Sequence, residues 1–530
     1  MYLSDLALTD FRSYEQALLR LRPGVTTLIG DNGQGKTNVV EAIGYLATLS
    51  SHRVASDSAL VRQGAQAAVV QARVMRGASP TTLQVEIYAG RANRARINRG
   101  QVRPAQILGI VRTIVFAPED IELVRGDPSA RRAFLDSIMV QLHPRLAGVK
   151  SEYEKALRQR AALLKSAGAA RRRGGAVDAG AIDVWDVQLA RLGAQLTAAR
   201  AEIVGRLRPF VRDFYREVSG DAAVARIDYR ASASRGVFEL PTPEELARAV
   251  EVARDDDVAG AGGGGAESRG DADADSRTPA ALASGTSARG EGLAGTAADG
   301  GRTSNGDYLG NAATRLVEEH ERELADAELT EVRLVAAMAD RREAEIARGV
   351  NLVGPHRDDL VLSLGTLPAK GYASHGESWS YALALKLAAW EVLRSDADEG
   401  EPILILDDVF AELDAKRRER LAEIVGRAGQ VFVTAAVGSE IPSGLAGARF
   451  RVTRGAAAAD EEPVAAGGLV AAEDAFTDDS AAGALEDSAA GAQLRGETGV
   501  ADEASVIGED SGIGGASTGG SGRREGAGDA

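Results

Sequence analysis

The chain has 530 residues, no cysteine and a formal net charge of −15, which excludes disulfides and thiolate metal sites. The charge is unevenly spread: residues 456–530 hold 16 acidic against 3 basic side chains, residues 255–306 hold 9 against 4, and the remainder carries +3. Overall acidity is therefore no argument against a nucleic-acid partner for the part of the chain that can build a core.

The first residues, MYLSDLALTDF, alternate apolar and polar like a strand. They lack the basic and then apolar regions of a secretory signal. No run of about 18 apolar residues occurs, so no membrane span is expected. The expected setting is the cytoplasm.

VTTLIG, residues 25–30, reads as a β-branched strand entering a glycine-rich turn, and TNVVEAIGYLATLS as the helix beyond it. Further strands are expected at 68–75, 82–89, 94–98 and 111–116. From Asp127 to about Gly220 the periodicity becomes helical. Pro144 is placed to open one helix, and 182–218 forms a long charged one. Residues 312–348 are helical again. The pattern then alternates: strand 359–364, helix 377–394, strand 402–406, helix 415–427, strand 430–434.

Between Arg254 and Gly306 the chain is Gly, Ala, Asp and Ser with almost no large apolar residue. Such a segment buries too little to offset chain entropy and is expected to be disordered, as is the tail. The expected organisation is an N-terminal head lobe at 1–126, a helical arm at 127–253, the insert at 254–306, an arm return at 307–350, a C-terminal head lobe at 351–455 and an acidic tail at 456–530. The fold class is α/β, a head split by a helical arm.

GDNGQGKT satisfies G-x-x-x-x-G-K-[ST] at every fixed position, between a strand and a helix. Gly30, Asp31, Asn32, Gly33, Gln34 and Gly35 form a loop whose N–H groups suit phosphate oxygens. Lys36 would neutralise the β and γ charge, and Thr37 would offer its hydroxyl to Mg²⁺. PILILDDVFAELD supplies the complementary element, a fully apolar strand ending in acid. Asp407 is the expected metal carboxylate and Asp408 the expected polariser of the attacking water, so Lys36, Asp407 and Asp408 are the candidate catalytic residues.

RANRARINRGQVR places Arg91, Arg94, Arg96, Arg99 and Arg103 around a hairpin with no acidic residue among them. Arginine suits bidentate phosphate contact, which makes this a candidate DNA surface. No base-reading motif accompanies it, so binding there would be salt-sensitive. Arg131 and Arg132, in GDPSARRAFLD, could touch DNA, a phosphate or a neighbouring acid.

Four stretches resemble the RecF family, ABC-type ATPase heads related to the structural-maintenance-of-chromosomes and Rad50 class. They are FRSYEQALLRLRPGVTTLIGDNGQGKTNVVEAIGYLATLSSHR, FAPEDIELVRGDPSARRAFLD, GPHRDDL with ASHGES after it, and ILILDDVFAELD. The resemblance implies an ABC-type P-loop head using ATP and Mg²⁺. It implies a site completed across a homodimer, where Ser374 and Gly376 of one copy meet the γ-phosphate held by the other. A helix start has free N–H groups and partial positive charge, which suits that role. The family signature has Gln where this chain has Glu377, and a carboxylate there repels a γ-phosphate unless it points away or caps the helix. Many ABC ATPases carry Glu at the place of Asp408 and His at the place of Thr434, so slow hydrolysis, a switch rather than a motor, is implied. Asp414 is implied to lie at the dimer interface.

By resemblance the partners are double- and single-stranded DNA at gaps, with RecR and RecO, and the roles are RecA loading, replication restart and the SOS response. Two other readings of the same motifs are a transporter-type ATPase subunit and a non-hydrolysing nucleotide-binding scaffold.

Overall fold

The structure, a computed structural model, describes residues 1–174, 179–220, 223–234, 305–365, 367–396 and 400–459. The insert expected at 254–306, except for its last two residues, and the chain beyond Ala459 lie outside these.

Tyr2–Phe11 (β1) and Tyr14–Arg20 (β2) form a hairpin, and Gly24–Ile29 (β3) leads into Lys36–Thr48 (α1). Ala67–Arg76 (β4), Ser79–Tyr88 (β5), Arg94–Ile97 (β6) and Gly100–Val102 (β7) complete an antiparallel sheet of order β2-β1-β4-β5-β6-β7. In β4 burial alternates residue by residue, with Ala68, Val70, Ala72 and Val74 facing the core, as a half-buried strand requires. Thr113–Phe116 (β8) then enters a second sheet.

The arm follows. Glu122–Arg125 (α2) and Pro128–Leu142 (α3) precede two long helices, Arg145–Arg172 (α4) and Ala179–Ser219 (α5). The 41 residues of α5 span ~60 Å at 1.5 Å per residue. After Ala225–Arg230 (β9), the described chain resumes with Asn305–Leu324 (α6) and Ala327–Arg348 (α7). The helical stretch expected over 312–348 is thus built as two helices. Asp326 caps the second, accepting from the N–H groups of Glu328 and Leu329 at 2.9 and 3.1 Å.

Arg160 of α4 is fully buried among these helices. It donates to Glu345 at 2.6 Å and to Asn351 at 2.8 Å and also pairs with Asp186. A buried guanidinium persists only when its N–H groups are satisfied, so these four residues lock α4, α5 and α7 in register.

Asp359–Leu364 (β10) pairs with β9 on one side and Leu367–Pro368 (β11) on the other. His375–Ser395 (α8) is buried along most of its length and packs on α5. Ile403–Asp407 (β12), Ala415–Val425 (α9), Gln430–Ala435 (β13), Ala448–Thr453 (β14) and Ala456–Ala459 (β15) finish the described chain. The second sheet has the order β15-β14-β3-β13-β12-β8 and is parallel except for β15. Ala456–Ala459, counted with the tail in the sequence reading, thus form its edge strand. The buried runs of β12 and β13 match the both-faces-covered pattern of a parallel sheet. Among the described residues no helix is long and apolar enough to cross a membrane.

Candidate functional site

The P-loop leaves β3 near the middle of the parallel sheet, between β14 and β13. A Cβ at Gly30 would lie 2.2 Å from the Val452 carbonyl oxygen, so only glycine fits there. Gly33 and Gly35 take φ of 82° and 112°, left-handed values that let the chain curl before α1. Lys36 is 3% exposed. Its Nζ donates to the carbonyls of Gly30 and Asp31 at 2.8 and 3.3 Å, spanning the loop from within. The Tyr14 hydroxyl donates to the Gly35 carbonyl at 3.1 Å and fixes the last turn of the loop.

β12 delivers the acidic element. Thr37 Oγ1 lies 3.1 Å from Asp407 Oδ1, joining residues 370 positions apart. Two oxygens bound side by side to an octahedral Mg²⁺ at about 2.0–2.1 Å lie ~2.9 Å from each other. The hydroxyl and carboxylate therefore have the chemistry and spacing to hold that ion. Burial pushes the Asp407 carboxyl up to about 6, and the Asp408 charge adds to this, while hydrogen bonds from Thr434 and Thr37 and the Arg53 charge oppose it. A poorly solvated carboxylate of this kind gains most from a cation.

Parallel pairing sets Thr434 of β13 directly beside Asp407. Thr434 Oγ1 donates to Asp407 Oδ1 at 2.7 Å, lies 3.2 Å from Asp408 Oδ1, and accepts the Asp408 N–H at 2.9 Å. Asp408 itself has φ 53°, a left-handed turn that swings its side chain off the strand line. Thr434 is thus the hydroxyl that joins the two aspartates.

The ASHGES run opens α8 as a reciprocal capping box. Glu377 N–H donates to Ser374 Oγ at 3.3 Å, and Ser374 N–H donates to Glu377 Oε2 at 2.7 Å. Hydrogen bonding with Ser374 is also what lowers the Glu377 carboxyl below its usual value. The carboxylate that looked misplaced in the sequence is a helix cap.

Gly376 lies under Arg417: a Cβ there would be 3.1 Å from the guanidinium. Arg417 also donates to Ser380 at 3.0 Å and forms an ion pair with Asp414. Asp414 caps α9, accepting the Arg417 N–H at 2.9 Å. One arginine therefore ties Asp414 to Gly376. Among the described residues, Ser374–Ser378 make no hydrogen bond to residues 30–37; the partners run to Arg125 and within the helix's own first turn.

The basic hairpin is formed by β6 and β7. Arg94 and Arg96 lie opposite Glu86 and Gln84 of β5. Arg91 stacks 3.6 Å from the Tyr88 ring centroid, and Arg99 and Arg103 are exposed. Arg131, by contrast, is 6% exposed and gripped by Asp359 at 2.8 and 3.1 Å. It holds α3 to β10. Arg132 donates to the Asp358 carbonyl at 2.8 Å.

Residues 2–442 match the family model described as RecF/RecN/SMC N terminal domain. The protein called DNA replication and repair protein RecF in Beutenbergia cavernae is 52% identical over 462 residues, 86% of this chain and 98% of its own length. The chain belongs to the RecF family. A second relative of the same name, from Streptomyces avermitilis, is 45% identical over 457 residues, 86% of this chain and 99% of its own. A solved structure described as the recombination mediator protein RecF-ATPrS in the RecFOR pathway aligns with a TM-score of 0.64, at 22% identity, over 87% of this chain and 98% of that one. The fold is that of an ABC-type P-loop ATPase head, the architecture RecF-family members share.

Two features of the site are not legible in the sequence. Arg417 over Gly376 and Thr434 between the aspartates arise from tertiary contact and strand register, which no local pattern encodes. The cap is legible, since S-x-x-E before an apolar helix is its signature, and Glu377 takes the capping alternative that the sequence left open.

Proposed function

We propose that this chain is an ATP-dependent DNA-binding protein of DNA replication and repair that acts as a switch at single-strand gaps. The observation that carries the nucleotide part is the meeting of Thr37 and Asp407 at 3.1 Å beside Lys36. The repair part rests on family membership and on the name its relatives bear.

Loop N–H groups of residues 30–37 and Lys36 Nζ would cradle the phosphates, with Lys36 exchanging its carbonyl acceptors for phosphate oxygens. Mg²⁺, held by Thr37 and Asp407, would neutralise charge on the β- and γ-phosphates. Asp408 would orient the attacking water, and a side chain one methylene shorter than Glu suits slow turnover.

Ser374 and Gly376 belong, in this reading, to the nucleotide site of a second copy. ATP would close a homodimer on duplex DNA because only the closed form contacts the γ-phosphate, and hydrolysis would reopen it. Assistance to RecA loading, with RecR and RecO, completes the reading. A transporter-type role is disfavoured by family membership. Light scattering with and without ATP on gapped DNA tests this. Wild type should double in mass with ATP, and Lys36→Ala should stay monomeric; a mass that does not respond to ATP overturns the dimer switch.

A further inference from the structure

A cavity of about 680 Å³ opens between α3, α7 and the loop at Gly354–Asp358, away from the P-loop and from the arginine hairpin. Arg132, Arg341, Arg348 and Arg357 line it, against Asp127 and Asp340, so its walls carry an excess of two positive charges. We propose that this cleft binds a phosphate group, as a second anion site of the head.

The manner in which its arginines are held points to a ligand. Arg132 is fixed by the Asp358 carbonyl at 2.8 Å. Arg357 is fixed by the Asn351 carbonyl at 3.0 and 2.8 Å. Backbone carbonyls orient a guanidinium without neutralising it, and each fork keeps N–H groups to spare. Among the described residues none of the four lining arginines has a carboxylate within 4.0 Å, whereas their neighbours Arg131 and Arg200 are paired with Asp359 and Asp136. Burial and the nearby Arg200 charge make the cation on Arg132 less favourable than usual. An anion would relieve that.

The floor is rigid. Asp358 is buried and accepts from Tyr229 Oη at 2.7 Å, Ser232 N–H at 2.7 Å and Thr197 Oγ1 at 3.2 Å. His356 is wedged under the loop, its Nδ1 2.7 Å from the Tyr153 hydroxyl, and burial lowers it to about 4, so it brings no charge. Arg341 and Arg348 stand at the exposed rim, seven residues and two helical turns apart on one face of α7. Several guanidinium forks around a space larger than a single carboxylate suit the oxygens of a phosphodiester or a polyphosphate.

The test uses the full-length protein. Inorganic pyrophosphate is titrated calorimetrically, without nucleotide, into Lys36→Ala protein, which lacks the P-loop cation, with and without the paired substitutions R341Q and R348Q. A fluorescent DNA duplex is titrated across a salt series into ATP-loaded protein with Lys36 intact, with and without the same pair. The rim substitutions should weaken pyrophosphate binding about tenfold or more. If duplex affinity also falls and its salt slope drops by about 2, the phosphate belongs to a DNA backbone. If duplex binding is unchanged, it belongs to a free phosphorylated ligand. A pair of substitutions that moves neither pyrophosphate affinity nor the duplex salt slope overturns the proposal. Either result leaves the P-loop reading standing, because that site is disabled throughout the calorimetry.

Discussion

Replacing Thr434 by Val removes one hydroxyl from the centre of the acidic element and keeps the shape. The hydroxyl is 1% exposed with its residue, donates to Asp407 at 2.7 Å and accepts the Asp408 N–H at 2.9 Å. The Thr434→Val variant would lose a bond to a carboxylate and leave an N–H without its acceptor, together about 2–4 kcal/mol of unfolding free energy if both groups stay dry. The Thr434 bond also opposes the burial that holds the Asp407 carboxyl up at about 6. Without it, that carboxyl should titrate higher still. Two assays follow, urea unfolding at pH 8 and Mg²⁺-dependent ATP affinity as a function of pH. Thr434→Val should unfold at lower urea and should lose ATP affinity at a higher pH than wild type as acid is added. Thr434→Ser, which keeps the hydroxyl, should restore most of both. If Thr434→Val matches wild type in urea within about 0.5 kcal/mol and its pH midpoint does not move, the hydroxyl does not govern the aspartates.

Asp407→Asn should abolish Mg²⁺-dependent ATP binding yet stabilise the nucleotide-free protein. The folded carboxyl at about 6 lies above its ordinary value of 3.8, so the ionised form is a burden that grows as pH rises from about 4 to 6 and is full above that. The gain at pH 8 should be about 1–3 kcal/mol by chemical denaturation; a destabilised Asn variant would refute the assignment. Glu377→Gln can keep the cap while removing the charge, so unfolding should change by less than about 0.5 kcal/mol. ATP-driven dimerisation should be unchanged, because the carboxylate is turned back onto Ser374 of its own helix start; a dimer strengthened by the substitution in light scattering would place the charge against the γ-phosphate. Replacing Arg94, Arg96 and Arg99 together with Ala should lower the salt slope of duplex binding by up to about 3; an unaltered slope moves the DNA contact elsewhere.

The local codes were legible because each is a contiguous run. The loop Gly30–Thr37 sits between its own strand and helix, and Ile403–Asp407 announces a buried parallel strand by lacking any polar residue before the acid. Elements of low contrast were not. Tyr14–Arg20 shows no clean alternation, and Ala456–Ala459 is four alanines, strands only because the sheet beside them is already built. Ala225–Arg230 does alternate, but it lies in a region read as helical. Arg131 and Arg132 could not be told apart from sequence. One spends its fork on Asp359, while the other is held by a carbonyl and borders an open cleft, a difference set by residues more than two hundred positions away.

The strand order has a consequence for synthesis on the ribosome. β3, which carries the P-loop, is flanked in its sheet by β13 and β14, and β8 by β12 alone. The nascent P-loop strand therefore waits for roughly 400 further residues, ~20–80 s at about 5–20 residues per second, before a neighbour exists to pair with it. The antiparallel sheet of β1, β2 and β4–β7 has all its strands within the first 102 residues and can form while the rest is still being made. The nucleotide pocket should thus be among the last parts of the head to become competent, and a chain stalled before residue 430 would have the loop without the acid-bearing sheet in place to use it.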